Sequence, residues 1–190
     1  MSSTLRLAAQ RGFTLVELLI VVIIMAILAA IVIPQFSSAT SDTKEAALDS
    51  NLAGLRNAVE LYKAQHSAYP GDVTSGSGGT CNTTGTAGNG AADSAQAFMD
   101  QLLAYSSAAG ATCTVGDATT YKYGPYLRKG LPNDAVTGKG SVVGDIVVTT
   151  AGTPLAPAAA TGGWAYDTKS GQLVMNSNAT DSKGAAYSTH

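Results

Sequence analysis

The chain has 190 residues, of which 45% are apolar and only 13% charged, with a formal net charge of −2. That length allows one ordinary domain plus one extended element, and the composition fits neither a disordered acidic tail nor a charge-rich cytosolic enzyme. Residues 1–12 hold Arg6 and Arg11 and no acid, so the remainder carries 9 basic against 13 acidic side chains and has no electrostatic footing for nucleic-acid binding.

Residues 1–12 (MSSTLRLAAQRG) are polar and positively charged. Phe13 to Ile33 then forms an apolar run of 21 residues with a single charge, Glu17. As a helix it spans about 31 Å, the thickness of a bilayer core. With Arg6 and Arg11 before it, the positive-inside rule predicts a cytoplasmic N-terminus and an external remainder. A secretory signal would be shorter and would end in a small-x-small cleavage site. An uncleaved signal anchor is the plain alternative, but Glu17 within the run and Arg11-Gly12 directly before it argue against that. A carboxylate deep in a spanning helix costs about 2.5–3.5 kcal/mol, so it calls for a cation at similar depth. Cleavage before Phe13 would create one, the α-amino group of Phe13, reaching Glu17 within one chain or from a neighbour. Pro34 ends the run, and its missing N–H predicts a kinked or loosened helix there.

From Ser37 to His66 the pattern turns amphipathic. Leu48, Leu52, Leu55, Val59 and Tyr62 step by four and three along one stripe, with Lys44, Asp49, Arg56, Glu60 and Lys63 on other faces. Tyr69-Pro70-Gly71-Asp72 is a strong turn signal, so Phe13–His66 is predicted as one helix about 80 Å long. Residues 73–92 read as a Gly/Ser/Thr loop. Asp93 is predicted to cap a short helix carrying Phe98, Leu102 and Tyr105. Tyr121, Tyr123 and Tyr126 surround Gly124-Pro125 in what reads as a packed turn rather than a ligand-stacking site. Val142–Thr149 reads as a strand, and Gly163–Asp167 with Gln172–Ser177 as a hairpin around Thr168-Lys169-Ser170-Gly171.

Cys81 and Cys113, the only cysteines, read as one disulfide in an exported chain, with a pair of buried free thiols as the alternative. Asn176, Asn178 and Asp181, with Asp167 nearby in the hairpin, offer oxygen donors for calcium, against the simpler reading of a solvated turn. His66 and His190 have no ligand spacing for zinc, no phosphate-binding glycine pattern survives its context, and no nucleophile elbow appears. The chain therefore reads as no enzyme.

The stretch RGFTLVELLIVVIIMAILAAIVIPQF resembles the N-terminal signature of type IV prepilins and type II secretion pseudopilins. The resemblance implies that a prepilin peptidase cuts after Gly12 and methylates Phe13, and that Glu17 serves assembly. Ala26 stands where many relatives carry glycine. YGPYLRKGLPNDAVTG and GWAYDTKSGQLVMNSN resemble the head of major pseudopilins, although the aspartate-proline-tryptophan-glycine sequence that accompanies the family's calcium loop is missing.

The expected fold is α+β and pilin-like. A long N-terminal helix, transmembrane and then amphipathic, would pack on a small antiparallel β-sheet head. The expected divisions are a leader (1–12), a membrane or filament-core helix (13–34), its amphipathic half (35–66) and a head (67–190). The implied function is a structural filament subunit of a type IV pilus or a type II secretion pseudopilus. It would be inserted in the bacterial inner membrane as a precursor and then carried in a periplasmic or extracellular filament. Its implied partners are copies of itself, the prepilin peptidase, an inner-membrane assembly platform and an assembly ATPase. The alternative is a membrane-tethered extracytoplasmic binding module that never polymerises.

Overall fold

The computed structural model describes residues 12–76 and 78–190. Apart from Gly12, the expected leader with Arg6 and Arg11 lies outside the described residues, as does the Pro34 side chain. Two compact units divide the chain after Thr40.

The described part of the first unit is the start of helix α1, Leu15–His66, which continues through position 34. Val and Ile crowd it, and these β-branched residues are indifferent helix formers in water. In an apolar medium that preference is overridden, because only a helix satisfies every backbone N–H and C=O within the segment. Its large apolar side chains are all open, from 41% exposed at Val32 to 82% at Leu15.

The second unit begins at Ser41. The stripe predicted on α1 is its core: Leu48, Leu52, Leu55, Val59 and Tyr62 are each at most 1% exposed. Burying one such side chain contributes about 1.5–3 kcal/mol. The stripe packs with Phe98 and Leu102 of α2 (Ala95–Leu103), Trp164 and Tyr166 of β6 (Trp164–Asp167), and Leu173 and Met175 of β7 (Leu173–Met175). α1 stops where the sequence indicates. Ser67 takes a left-handed conformation (φ 59°), and its N–H donates to Lys63 O at 2.8 Å.

The Gly/Ser/Thr loop holds more structure than expected. Within it β1 (Thr80–Cys81) and β2 (Gly85–Thr86) form a small antiparallel hairpin. A second pair, β3 (Tyr105–Ser106) with β4 (Thr112–Cys113), lies alongside in the chain, and the Cys81–Cys113 disulfide joins the two pairs. The two cysteines are 32 positions apart, and closing such a loop stabilises the fold by about 3–4 kcal/mol in the chain-entropy account. The disulfide reading holds, and the free-thiol alternative does not.

Four expectations are corrected. The cap of α2 is Ser94, whose hydroxyl accepts from Ala97 N at 3.1 Å. Asp93 instead has φ 59° and accepts from the Thr168 hydroxyl at 2.6 Å, tying the helix start to the β6–β7 turn. Tyr105 lies in β3, past the end of α2. The strand expected from Val142 begins only at Ile146 (β5, Ile146–Thr149), after a 3-10 turn at Val143–Asp145. β5 also pairs parallel to β6, where an antiparallel sheet was expected. The Pro/Ala segment 150–163 supplies the crossover of about a dozen residues that a parallel pair requires.

The β6–β7 hairpin follows expectation, antiparallel with Trp164 opposite Met175 and Tyr166 opposite Leu173. Its turn ends on Gly171 (φ +73°), where any Cβ would run into the Tyr69 ring. The tyrosine-rich turn is packed as read: Tyr126 meets Tyr62 edge-on with centroids 5.4 Å apart, and Tyr123 meets His66 at 5.0 Å.

Candidate functional site

The residues before α1 hold the bond expected to be cut and lead into the misplaced acid. Gly12, Phe13 and Thr14 lie outside the helix, and Phe13 is 88% exposed. A Cβ built on Gly12 would find nothing within 4 Å. The Gly12–Phe13 peptide is thus in non-helical, uncrowded backbone, the form in which a protease can bind it.

Glu17 is not a lone charge. Its Oε2 accepts from Thr14 N at 2.9 Å and from Thr14 Oγ1 at 2.8 Å, while Glu17 N donates back to Thr14 Oγ1 at 3.2 Å. This is a reciprocal capping box: Thr14 caps the helix and the acid three residues on satisfies the amide of the cap. Two of the orphan donors at the helix start are met in this way. A carboxylate near a helix N-terminus also sits favourably in the field of the helix. Both Thr14 contacts use Oε2, and Oε1 has no hydrogen-bond partner among the described residues. The sequence reading missed Thr14. The pattern Thr-x-x-Glu before an apolar run was the signal that would have found it.

The residues offered as calcium ligands are used differently. Asp167 is fully buried, and its two oxygens accept from Thr149 Oγ1 (2.9 Å), Gly152 N (3.0 Å), Lys169 N (3.1 Å), Ser170 N (2.7 Å) and Ser170 Oγ (2.9 Å). Asp181 Oδ1 accepts from Lys183 N (2.8 Å) and Ala185 N (2.7 Å). Asn178 Nδ2 donates to Ala158 O at 2.8 Å, and Asn176 contributes its backbone to Gly162 and Gly163. Calcium needs six to eight free oxygen lone pairs around one point. Here the two carboxylates serve separate turns and are filled by N–H and O–H donors, so the four residues do not fit a calcium set. Among the described residues no group of three or more His, Cys, Asp or Glu gathers as metal ligands.

The same use of aspartate recurs in the head. Asp134 accepts from the amides of Val136, Thr137 and Gly163, and Asp117 from those of Thr119, Thr120 and Tyr121. With little sheet to hold them, the loops are closed by buried or local carboxylates acting as acceptors for turn amides.

His66 lies at the end of α1, stacked on the Tyr62 ring with centroids 4.0 Å apart. Its Nδ1 lies 3.0 Å from Tyr62 O and its Nε2 3.1 Å from the Ser106 hydroxyl, which suits a neutral ring donating from Nδ1 and accepting at Nε2. Burial holds its pKa below the ordinary histidine value, outweighing the hydrogen bonds to the Tyr62 and Ser107 backbone that favour the charged form. The unfolded chain therefore binds this proton first. The stabilising contribution is complete above about pH 6.5 and is lost as pH falls below that through the folded-state value. An NMR titration of the His66 ring is expected to show a midpoint below 6.5, and a midpoint above it would contradict this placement.

The pattern of the prokaryotic N-terminal methylation motif matches residues 7–33. Over a stretch of 66 residues, 35% of the chain and 46% of the relative, the sequence is 36% identical to the type II secretion system core protein G of Klebsiella michiganensis. It is 39% identical over 61 residues to the protein of that name in Pseudomonas aeruginosa, covering 32% of the chain and 43% of the relative. For the Vibrio cholerae protein of that name the figures are 34% over 65 residues, with 34% of the chain and 44% of the relative covered. The chain thus spans under half the length of the curated relatives it matches. No solved structure matches the chain significantly. The exposed apolar helix with the methylation motif across its start makes the N-terminal third of this chain similar to the type II secretion system core protein G of these bacteria.

Proposed function

We propose that the chain is a structural subunit of a pilin-like filament, most simply of a type II secretion pseudopilus, with the type IV pilus as the sister assembly. The observation that carries this reading is the exposed apolar helix whose first turn holds Glu17 directly after the Gly12–Phe13 bond. Such a helix has no stable place in water, since contiguous apolar surface of this extent requires lipid or protein neighbours. Among the described residues α1 is the one helix long and apolar enough to cross a membrane. Lipid would serve before assembly and neighbouring helices after it.

In this mechanism the precursor inserts with its head outside, and a prepilin peptidase removes residues 1–12. The freed Phe13 amine, methylated and still cationic, then has a carboxylate to meet. Thr14 keeps Oε2 of Glu17 satisfied while the subunit waits in the bilayer, and Oε1 is left for the Phe13 amine of a neighbour. Copies of the chain, the peptidase, an assembly platform and an assembly ATPase are the partners this requires. The head needs no catalytic group for such a role.

Mass analysis of protein from sheared filaments is expected to find a chain beginning at N-methylated Phe13. Protein that begins at Met1 in mature cells and forms no filament would favour the tethered binding module instead.

A further inference from the structure

Segment 179–190 is fastened to α1 by side chains that composition alone leaves as a polar loop. Ser182 donates from N to Glu45 Oε1 at 2.7 Å and from Oγ to Glu45 Oε2 at 2.9 Å, and Glu45 is buried. Arg56 donates to His190 O at 2.7 Å, and through Nε and Nη2 to Leu173 O at 3.1 and 2.9 Å, so one side chain ties the segment and β7 to the helix. The His190 ring is inserted between two carboxylates, with Nδ1 2.7 Å from Asp49 Oδ1 and Nε2 3.3 Å from Asp181 Oδ2. Its side chain is 14% exposed and that of Asp181 5%, whereas Asp49 is 58% exposed.

We propose that segment 179–190 is a metal-free clasp, in which the His190 ring bridges Asp181 to Asp49 where an acidic loop of this kind would otherwise call for a divalent cation. The acids around it are Asp42, Glu45, Asp49 and Asp181. An oxygen-seeking cation would have to displace donors already in place: two amides on Asp181 Oδ1, the ring on Asp181 Oδ2, and the Ser182 donors on both oxygens of Glu45. The ring lies in hydrogen-bond contact with Asp49 and 3.3 Å from Asp181 Oδ2, filling the space between the two carboxylates. The ring between two carboxylates, the Ser182 donors on Glu45 and the Arg56 clamp therefore close this loop on α1 by hydrogen bonds and packing alone. The proposal is independent of the filament reading, since it concerns only how the head is closed.

The test uses the purified full-length protein in detergent, with thermal unfolding followed by Trp164 fluorescence and amide exchange followed across 179–190. The melting temperature is expected to be the same in EDTA and in excess calcium chloride. His190→Ala should speed exchange across 179–190 in both media, by roughly ten- to a hundredfold given the usual strength of charged hydrogen bonds. Asp49→Asn, at an exposed side chain with little packing to lose, should act in the same direction. A rise of several degrees on adding calcium would overturn the proposal, as would unchanged exchange of the segment in both variants.

Discussion

Glu17→Ala is expected to leave membrane insertion intact and to abolish filaments. Insertion becomes easier, because the substitution removes a carboxylate from the apolar run, a group that costs up to about 2.5–3.5 kcal/mol at the bilayer centre and less at the edge, where Glu17 sits. The helix start weakens by only about 0.5–2 kcal/mol, the usual worth of a cap, and the rest of α1 is held by lipid. Assembly loses far more. A carboxylate and an ammonium 4 Å apart attract by about 4 kcal/mol at an effective dielectric near 20, which corresponds to roughly a thousandfold in association. The neighbour's amine would also be left unpaired among apolar side chains, at further cost. Glu17→Gln separates the two roles of the residue. Glutamine can complete the capping box of Thr14 but carries no charge, so its helix start should survive while its filaments fail. Normal amounts of sheared filament from Glu17→Ala, compared with the membrane fraction, would refute the assembly role.

The second large effect lies in the head. Asp167→Ala is expected to lower stability by about 3–5 kcal/mol, because it strands a set of donors aimed at a buried carboxylate. Thr149, Gly152, Lys169 and Ser170 all donate to that side chain, so β5, the crossover that follows it and the β6–β7 turn would come loose together. Against a typical total of about 5–15 kcal/mol, this is a large fraction. For a unit of this size, a fall in melting temperature on the order of 10 °C should follow. Burial works against the charged form of Asp167, but the amides of Ser170 and Gly152 and the hydroxyls of Thr149 and Ser170 overcome it and hold the pKa far below the carboxylate range. The folded state therefore keeps this carboxylate charged after the unfolded chain has taken up a proton. The stabilisation is complete above about pH 4 and is lost as the medium becomes more acid than that. Thermal unfolding of the variant, with and without calcium, checks both points. A melting temperature within a degree or two of the parent would refute the role given to Asp167, and calcium that stabilises the parent but not the variant would show that the loop is a metal site.

The helical half of the fold was legible because burial writes a period into the sequence. Leu48, Leu52, Leu55, Val59 and Tyr62 had to be apolar at steps of three and four, and little else produces that spacing. The β6–β7 hairpin was legible from its turn. The β5–β6 pairing was not, since strand direction depends on where a long connection returns, and segment 150–163 carries no periodic mark of its path. Asp167 and Asp181 show a second limit. An acid in a polar loop looks the same in sequence whether it faces a cation or a fan of backbone amides, and only the folded chain separates the two. Thr14 differs from both, because its relation to Glu17 is local and its spacing was in plain view.

The capping box also bears on the processing proposed for this chain. Its two members, Thr14 and Glu17, both lie downstream of the Gly12–Phe13 bond. Cutting that bond adds one ammonium group and leaves the hydrogen bonds that start α1 untouched. On the proposed function, processing is then an electrostatic event at a helix tip that is already shaped, and the first turn of α1 need not be rebuilt.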